Sequence, residues 1–321
     1  MPAGLDPLPA LLARVLVGLR QEVGARTGVP LALWANLLRV LDDDGDGVRR
    51  RDLPRLARLS RRTMGPLVEG AERAGLVAVE EATVRLTAAG DAARAAGDVA
   101  VAESELVWAA EVAALRAALG DIVPRLDLEL PHWPLGYGAV DSTMTGGRAV
   151  PADPGPPATP AHGRDWRPVV RTGPDGAAGL PLAALASQAL VALAIDYEAE
   201  ARLSLASTSV LQVPGLATEG GMRIADLPPQ WAWHGHGHVE VGPGMVVRLT
   251  PCGRSLRDEY RPLTAAVEAR WADRFGAPAV GGLRAAAAAL AAGLDPGPRG
   301  HAVVDLIAGW FPGGTVAGWP A

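Results

Sequence analysis

Apolar residues recur along this chain at three- and four-residue intervals in long stretches and at two-residue intervals in short ones, which predicts helices joined by brief strands. Leu8, Leu11, Leu12, Val15, Leu16 and Leu19 mark one face of an amphipathic helix over 7–26, and 31–41 repeats the spacing. From Val48, VRRRDLPRLARLSRRTMGPLVEGAERAGL predicts two short helices. Asp52 caps the first, with Pro54 in its opening turn; Ser60 caps the second and Gly75 ends it. Pro66, after Gly65, removes a backbone donor near the start of that second helix and predicts an interruption. LVAVEEATVRLT alternates on both sides of EEA and reads as a tight hairpin, after which Thr87 caps a long helix through Trp108 to about Leu119. Helix, helix, helix-turn-helix, hairpin and long helix together describe a winged helix.

The same phrases return later in the chain. GVRRRDLP from Gly47 is echoed by GMRIADLP from Gly221, and VRLTAAG from Val84 by VRLTPCG from Val247, 163 positions on. Trp108 and Trp271 keep that offset, as do Glu105 and Glu268. The second copy begins with helices from Leu182 through Tyr197 and from Leu203 to Val213, and Thr250 with Pro251 opens its closing helix. The reading is mainly α with small β-hairpins (α+β), as two winged-helix repeats packed through long terminal helices as a pseudo-dimer. The units are 1–125 and 181–298, joined by a Pro/Gly-rich aromatic linker over 126–180 and followed by a tail over 299–321. The copies differ in one place. Leu53 precedes Val84 by 31 residues and Leu227 precedes Val247 by 20, a loss equal to about 16 Å of helix. In its place stands PPQWAWHGHGHVEVGPGM, too rich in Pro and Gly to replace a recognition helix.

Composition narrows the class. At 321 residues and 49% hydrophobic, the chain can bury a core for two domains, and its apolar runs are too short for a membrane helix. With no signal sequence after Met1 and a single cysteine, Cys252, a cytoplasmic protein without disulfides is expected. The net charge of −5 argues against bulk attraction to nucleic acid, yet Gly47 to Arg62 holds seven arginines against one aspartate. Such a cluster attracts duplex phosphates through counterion release, and arginine can fork onto a guanine edge.

The run of DLPRLARLSRRTMGPLVEGAERAGLV into VRLTAAG, and VRLTPCG opening a long helix, resembles the MarR family of winged-helix transcription regulators. The resemblance implies a two-fold dimer fused into one polypeptide, monomeric or weakly dimeric, with double-stranded DNA as partner and a small aromatic effector. Arg49, Arg50, Arg55, Arg58, Ser60, Arg61, Arg62 and Thr63 are the DNA-contacting candidates, all in the first unit. The alternative is a degenerate pseudo-dimer that holds a ligand or protein without binding DNA. His132, Trp133 and Tyr137 belong to an aromatic, Gly-rich loop that reads equally as an effector lining or as a linker pinned to the body.

Other signals are weaker. DDDGDGVRRRDL from Asp42 mimics a calcium loop, but its twelfth position is Leu53 where a glutamate must close the shell. His234, His236 and His238 stand on one side of an extended segment, yet the flanking glycines favour a remnant loop over a zinc site. Cys252, near a helix N-terminus, reads better as a packing residue than as a redox sensor. No nucleophile, base and oxyanion set can be assembled and no phosphate-cradling loop follows a strand, so neither an enzyme nor a cofactor is expected.

Overall fold

The computed structural model describes residues 6–41, 46–59, 61–126, 128–134, 169–170, 179–227, 237–294, 303 and 306. Most of these are helical. The first lobe runs α1 (Leu8–Thr27), α2 (Leu31–Asn36), β1 (Val48–Arg49), α3 (Leu53–Ala57), α4 (Arg61–Arg73), β2 (Val77–Glu80), β3 (Thr83–Leu86), α5 (Ala88–Val107) and α6 (Ala109–Ile122). Two short strands, β4 (Leu128–Glu129) and β5 (Val169–Val170), pair antiparallel after it. The second lobe runs α7 (Leu182–Glu198), α8 (Leu205–Val210), β6 (Met222–Arg223), β7 (Val239–Gly242), β8 (Val246–Leu249), α9 (Pro251–Phe275) and α10 (Ala277–Ala292).

Each lobe carries a three-stranded antiparallel sheet with the same strand order, β1-β3-β2 in one and β6-β8-β7 in the other. The recurring phrases are the hinges of these sheets. Thr87 Oγ1 accepts the Gly90 N–H at 3.0 Å and donates to Gly75 O at 2.6 Å, while Thr250 Oγ1 accepts from Gly253 at 3.1 Å and donates to Gly237 O at 2.6 Å. A Cβ on Gly90 would lie 1.9 Å from Leu76 O, and one on Gly253 the same distance from His238 O. The LT-x-x-G phrase therefore needs threonine as cap and glycine for close approach of a carbonyl. Gly47 (φ +70°) and Gly221 (φ +69°) are both left-handed and pressed against the Val84 and Val247 carbonyls. Arg85 and Arg248 donate to the carbonyls of Asp46 and Glu219 just before those glycines. The first hairpin closes through Glu81 (φ 48°) and Ala82 (φ 70°), a two-residue turn with both φ positive. The second takes three residues, Pro243–Met245, so the shortening ahead of it is one residue larger than the net difference of 11.

Helices α1 and α7 are buried almost all round from Leu8 to Leu19 and from Leu182 to Ala194, the mark of interior helices rather than of amphipathic surface ones. They pack on each other; α1 also lies on α10, and α7 on α6, while α6 and α10 pack together. Two carboxylates reach across in the same crosswise sense. Glu268 on α9 accepts the Leu8 N–H at 2.8 Å, pairs with Arg284 at 2.5 Å, and Arg284 donates on to Asp6 O at 2.6 Å. Glu105 on α5 accepts the Leu182 N–H at 2.7 Å and pairs with Arg116, which donates to Leu180 O at 2.7 Å. Pro7 and Pro181, at the N-caps, offer no side-chain acceptor, so each lobe's first helix receives its anionic cap from the other lobe.

Several expected elements differ. The helix over 31–41 ends at Asn36, breaks at Leu37 (φ −123°, ψ −62°) and resumes as a 3-10 turn over Leu38–Val40; at the break the Asn36 amide exchanges two hydrogen bonds with the backbone of Trp133. The first long helix breaks at Trp108 (φ −120°, ψ 46°); in the second lobe the helix passes through Trp271 and breaks at Gly276. Trp271 is buried and donates to Asp196 at 2.7 Å, whereas Trp108 is half-buried. Asp52 makes no capping hydrogen bond, its backbone already helical. Pro66 does not break α4, which is continuous from Arg61 to Arg73. The helix expected from Leu203 to Val213 spans Leu205–Val210, with Ser204 as its cap. The start of the linker is interior: Leu130, Pro131, His132, Trp133 and Pro134 are buried, held by Ser187, which donates to Pro131 O, and Gln188, which donates to Leu130 O.

Candidate nucleic-acid surface and a buried arginine–histidine cluster

The outer face of the first lobe is built by α3 and α4. Met64, Leu67, Val68 and Ala71 bury one side of α4 at helical spacing, which turns Arg61, Pro66, Glu69, Glu72 and Arg73 outward. Leu53 and Ala57 anchor α3 and leave Arg55 exposed. Arg49, Arg55 and Arg61 are exposed and, among the described residues, make no ion pair. Arg50 is partly neutralised by Glu69 at 3.0 Å, and Arg51 lies 3.8 Å from Asp52. Thr63 is half-buried. Ser60 and the side chain of Arg62 lie outside the described residues. The α4 surface is thus basic at its N-terminal end and acidic at Glu69 and Glu72, and the adjoining hairpin presents Glu80 and Glu81.

Arg58 does not belong to the outward set. It ends α3 in the left-handed region (φ 58°, ψ 38°), and this turn sends its guanidinium inward, 3.1 Å from His132 Nε2 and 3.4 Å from Leu130 O. On the other side of the ring, Arg39 Nη2 contacts His132 Nδ1 and lies 3.3 Å from Nε2. His132 is 8% exposed; burial, reinforced by the charges of Arg39 and Arg58, holds its imidazole down at about 3, so it is neutral at physiological pH. Burial also lowers Arg39, with Arg58 acting in the same direction and Asp98 opposing. Arg39 Nε is buried without a hydrogen-bond partner. Trp133, the next residue, is fully enclosed and pinned by Asn36, so its ring is packing for the core; Tyr137 lies outside the described residues.

The second lobe carries no equivalent cationic face among its described residues. Arg223 and Asp226 are both exposed beside Leu227, and the expected loss of the recognition helix falls on 228–236, outside the described residues with His234 and His236. Around its sheet, Leu211, Val213, Leu216, Leu227, Val247, Leu249 and Leu256 form a small core separate from the main one. Cys252 is exposed, 3.8 Å from His238 Nδ1, and no group of three metal-binding side chains occurs among the described residues. Glu198 is buried on α7, accepts the Leu205 N–H at 3.2 Å and lines a small cavity with Leu190, Val303 and Leu306; burial raises its carboxyl to about 7. No helix among the described residues is long and apolar enough to cross a membrane.

Residue patterning did not single out Arg39, which stands alone in an apolar run. Glu105 and Glu268 were visible as an aligned pair, but their reach across to the opposite lobe had no local signal. No protein-family model, curated protein or solved structure matches this chain.

Proposed function

We propose that this chain is a DNA-binding transcriptional regulator of MarR-like type, in which one polypeptide plays the part of a two-fold dimer and the first lobe alone meets DNA. Support for a winged-helix pair comes from the shared strand order, the shared threonine caps and the reciprocal carboxylate contacts, in which residue i of one lobe meets j of the other and the converse holds, as at an isologous interface. The observation that carries the DNA reading is the exposed trio Arg49, Arg55 and Arg61, without an ion pair among the described residues; Arg61 opens α4, where the helix dipole adds to its attraction for phosphate. A single reading lobe predicts binding to one half-site rather than to a palindrome.

Fluorescence anisotropy with duplex DNA fragments tests this. Three phosphate contacts give a salt slope near −3, so affinity should fall about 40-fold between roughly 50 and 200 mM salt. Arg55→Ala with Arg61→Ala should remove most of that slope. No binding to any duplex pool at the lower salt would refute the proposal. The second reading, a pseudo-dimer that holds a ligand or protein without DNA affinity, is favoured by the Arg50–Glu69 ion pair and the inward turn of Arg58.

A further inference from the structure

We infer that the outward side of α5 is a docking face for a helix of another protein, one that carries apolar residues along one side and arginine or lysine on both flanks of them. Of the six large apolar side chains exposed among the described residues, three lie here: Leu106 is 73% exposed, Val99 57% and Val107 52%. Val99 and Leu106 belong to a row with Ala88, Ala92, Ala95 and Ala102, all exposed and spaced alternately four and three apart. That alternation has the 3.5-residue period of a seam between two helices, narrower than the stripe by which a surface helix meets a core. The core contact of α5 is made by its other side, where Gly90, Gly97, Ala100, Val101 and Ser104 are buried. The helix is therefore apolar on two sides and covered on one. The second lobe shows that the fold does not require the row. At the offset of 163 the six positions become Pro251, Ser255, Asp258, Pro262, Ala265 and Ala269 on α9, and Val107 becomes Arg270. Both helices still cap the other lobe, through Glu105 and Glu268, so the apolar row answers to something that the first lobe alone meets.

Charge selects the partner. Along α5 stand Asp91, Asp98, Glu103 and Glu105 against the single cation Arg94. Asp91, Asp98 and Glu103 are exposed beside the row; Arg94, 3.7 Å from Asp91, is turned inward to Leu41 O, and Arg26 of α1 meets Glu103 at 3.0 Å. A second copy laid antiparallel on the row, which is centred next to Asp98, would bring the two Asp98 carboxylates together, and a parallel one would set each acid beside itself. Residues flanking a seam choose the partner by charge, so an acidic flank calls for a basic helix. Size sets the strength. From Ala88 to Leu106 the row runs about 28 Å, and at one helix diameter of about 10 Å it offers about 280 Å². Each partner of a stable complex covers about 800 Å², so this contact is a transient one.

Fluorescence anisotropy of a labelled helical peptide, titrated with the full chain, tests the inference. The peptide, of about three heptads, places leucine and alanine at alternate four- and three-residue steps, arginine on both flanks and glutamine elsewhere; its twin carries glutamate in place of arginine. One saturable site is expected for the arginine peptide, with Kd between about 10 and 500 µM, and none for the twin. Val99→Gln with Leu106→Gln should weaken binding about tenfold or more, and Asp91→Asn with Asp98→Asn about threefold with a flatter salt dependence. All four side chains are exposed, so both variants should keep the fold, as read by circular dichroism. No binding of the arginine peptide, equal binding of its twin, or undiminished binding by the glutamine variant would each overturn the proposal. Sedimentation velocity of the chain alone completes the test: a monomer is expected, and dimers that Val99→Gln with Leu106→Gln abolishes would assign the row to a second copy instead. Neither measurement contains nucleic acid, so failure here leaves the DNA reading standing, and failure of DNA binding leaves this face untouched.

Discussion

Removing the carboxylate of Glu268 should destabilise the fold more than removing that of Glu105, although the two perform the same task. Glu268 is 12% exposed and its partner Arg284 19%, so Glu268→Ala strips the first helix of its anionic cap and leaves a guanidinium poorly reached by water. Breaking such a pair, short of full burial, costs about 2 kcal/mol and losing the cap about 1 kcal/mol, for a total near 3 kcal/mol. Glu105 is 16% exposed but Arg116 is 37% exposed, and water can replace the lost carboxylate there. The pair then contributes only about 0.5 kcal/mol and the cap about 1 kcal/mol, for a total near 1.5 kcal/mol. Urea unfolding followed by both far-ultraviolet circular dichroism and tryptophan fluorescence measures the difference. With a slope of about 3 kcal/mol per molar urea, Glu268→Ala should lower the midpoint by about 1 M and Glu105→Ala by about half that. The caps share no partner, so the double variant should show the sum within about 0.5 kcal/mol. Equal effects, a reversed order, or losses below about 0.5 kcal/mol for both would refute the reading of these carboxylates as interlobe caps.

Two further outcomes follow from single positions. Glu198 is raised to about 7 from an ordinary 4.5, so the folded chain keeps a proton that the unfolded chain releases; its contribution is fully present below 4.5 and lost as pH rises towards 7. Glu198→Gln should therefore flatten the fall in stability between those pH values and stabilise the protein at pH 8 by about 3 kcal/mol, as read by urea midpoints; an unchanged pH profile would refute it. Ala82 holds φ 70° in the hairpin turn, a conformation glycine adopts freely, so Ala82→Gly should stabilise by about 1 kcal/mol in thermal unfolding, and a loss of stability would contradict the turn assignment.

How much could be read from the residues alone divides along physical lines. The duplicated phrases were visible because their requirements are local and chemically narrow: a threonine oxygen for a helix N-terminus, and no side chain at Gly90, Gly253, Gly47 and Gly221; that Val48 and Met222 add a third strand to each sheet was not. The position of α1 followed from apolar spacing and that of α4 from its caps, although α1 proved buried almost all round from Leu8 to Leu19. What failed had no local signal. Nothing in LVWAA announces a break at Trp108, and nothing near Asn36 shows that its amide will bond Trp133, 97 positions away. Arg58 looked like its basic neighbours, and only its left-handed backbone turns it towards His132. An arginine count measures charge in sequence, whereas a surface is made by the side chains that the backbone points outward.

The crosswise capping also orders events in time. Leu8 leaves the ribosome early, but the glutamate that completes its helix lies 260 positions later, which at ordinary rates of synthesis is a wait of roughly 10 to 50 s. Throughout that interval α1 lacks α10, which lies against it in the folded chain, and the charge that finishes its first turn, although α7 is made well before. The N-terminus of α1 therefore gains its full set of native contacts only once α9 and α10 have been made.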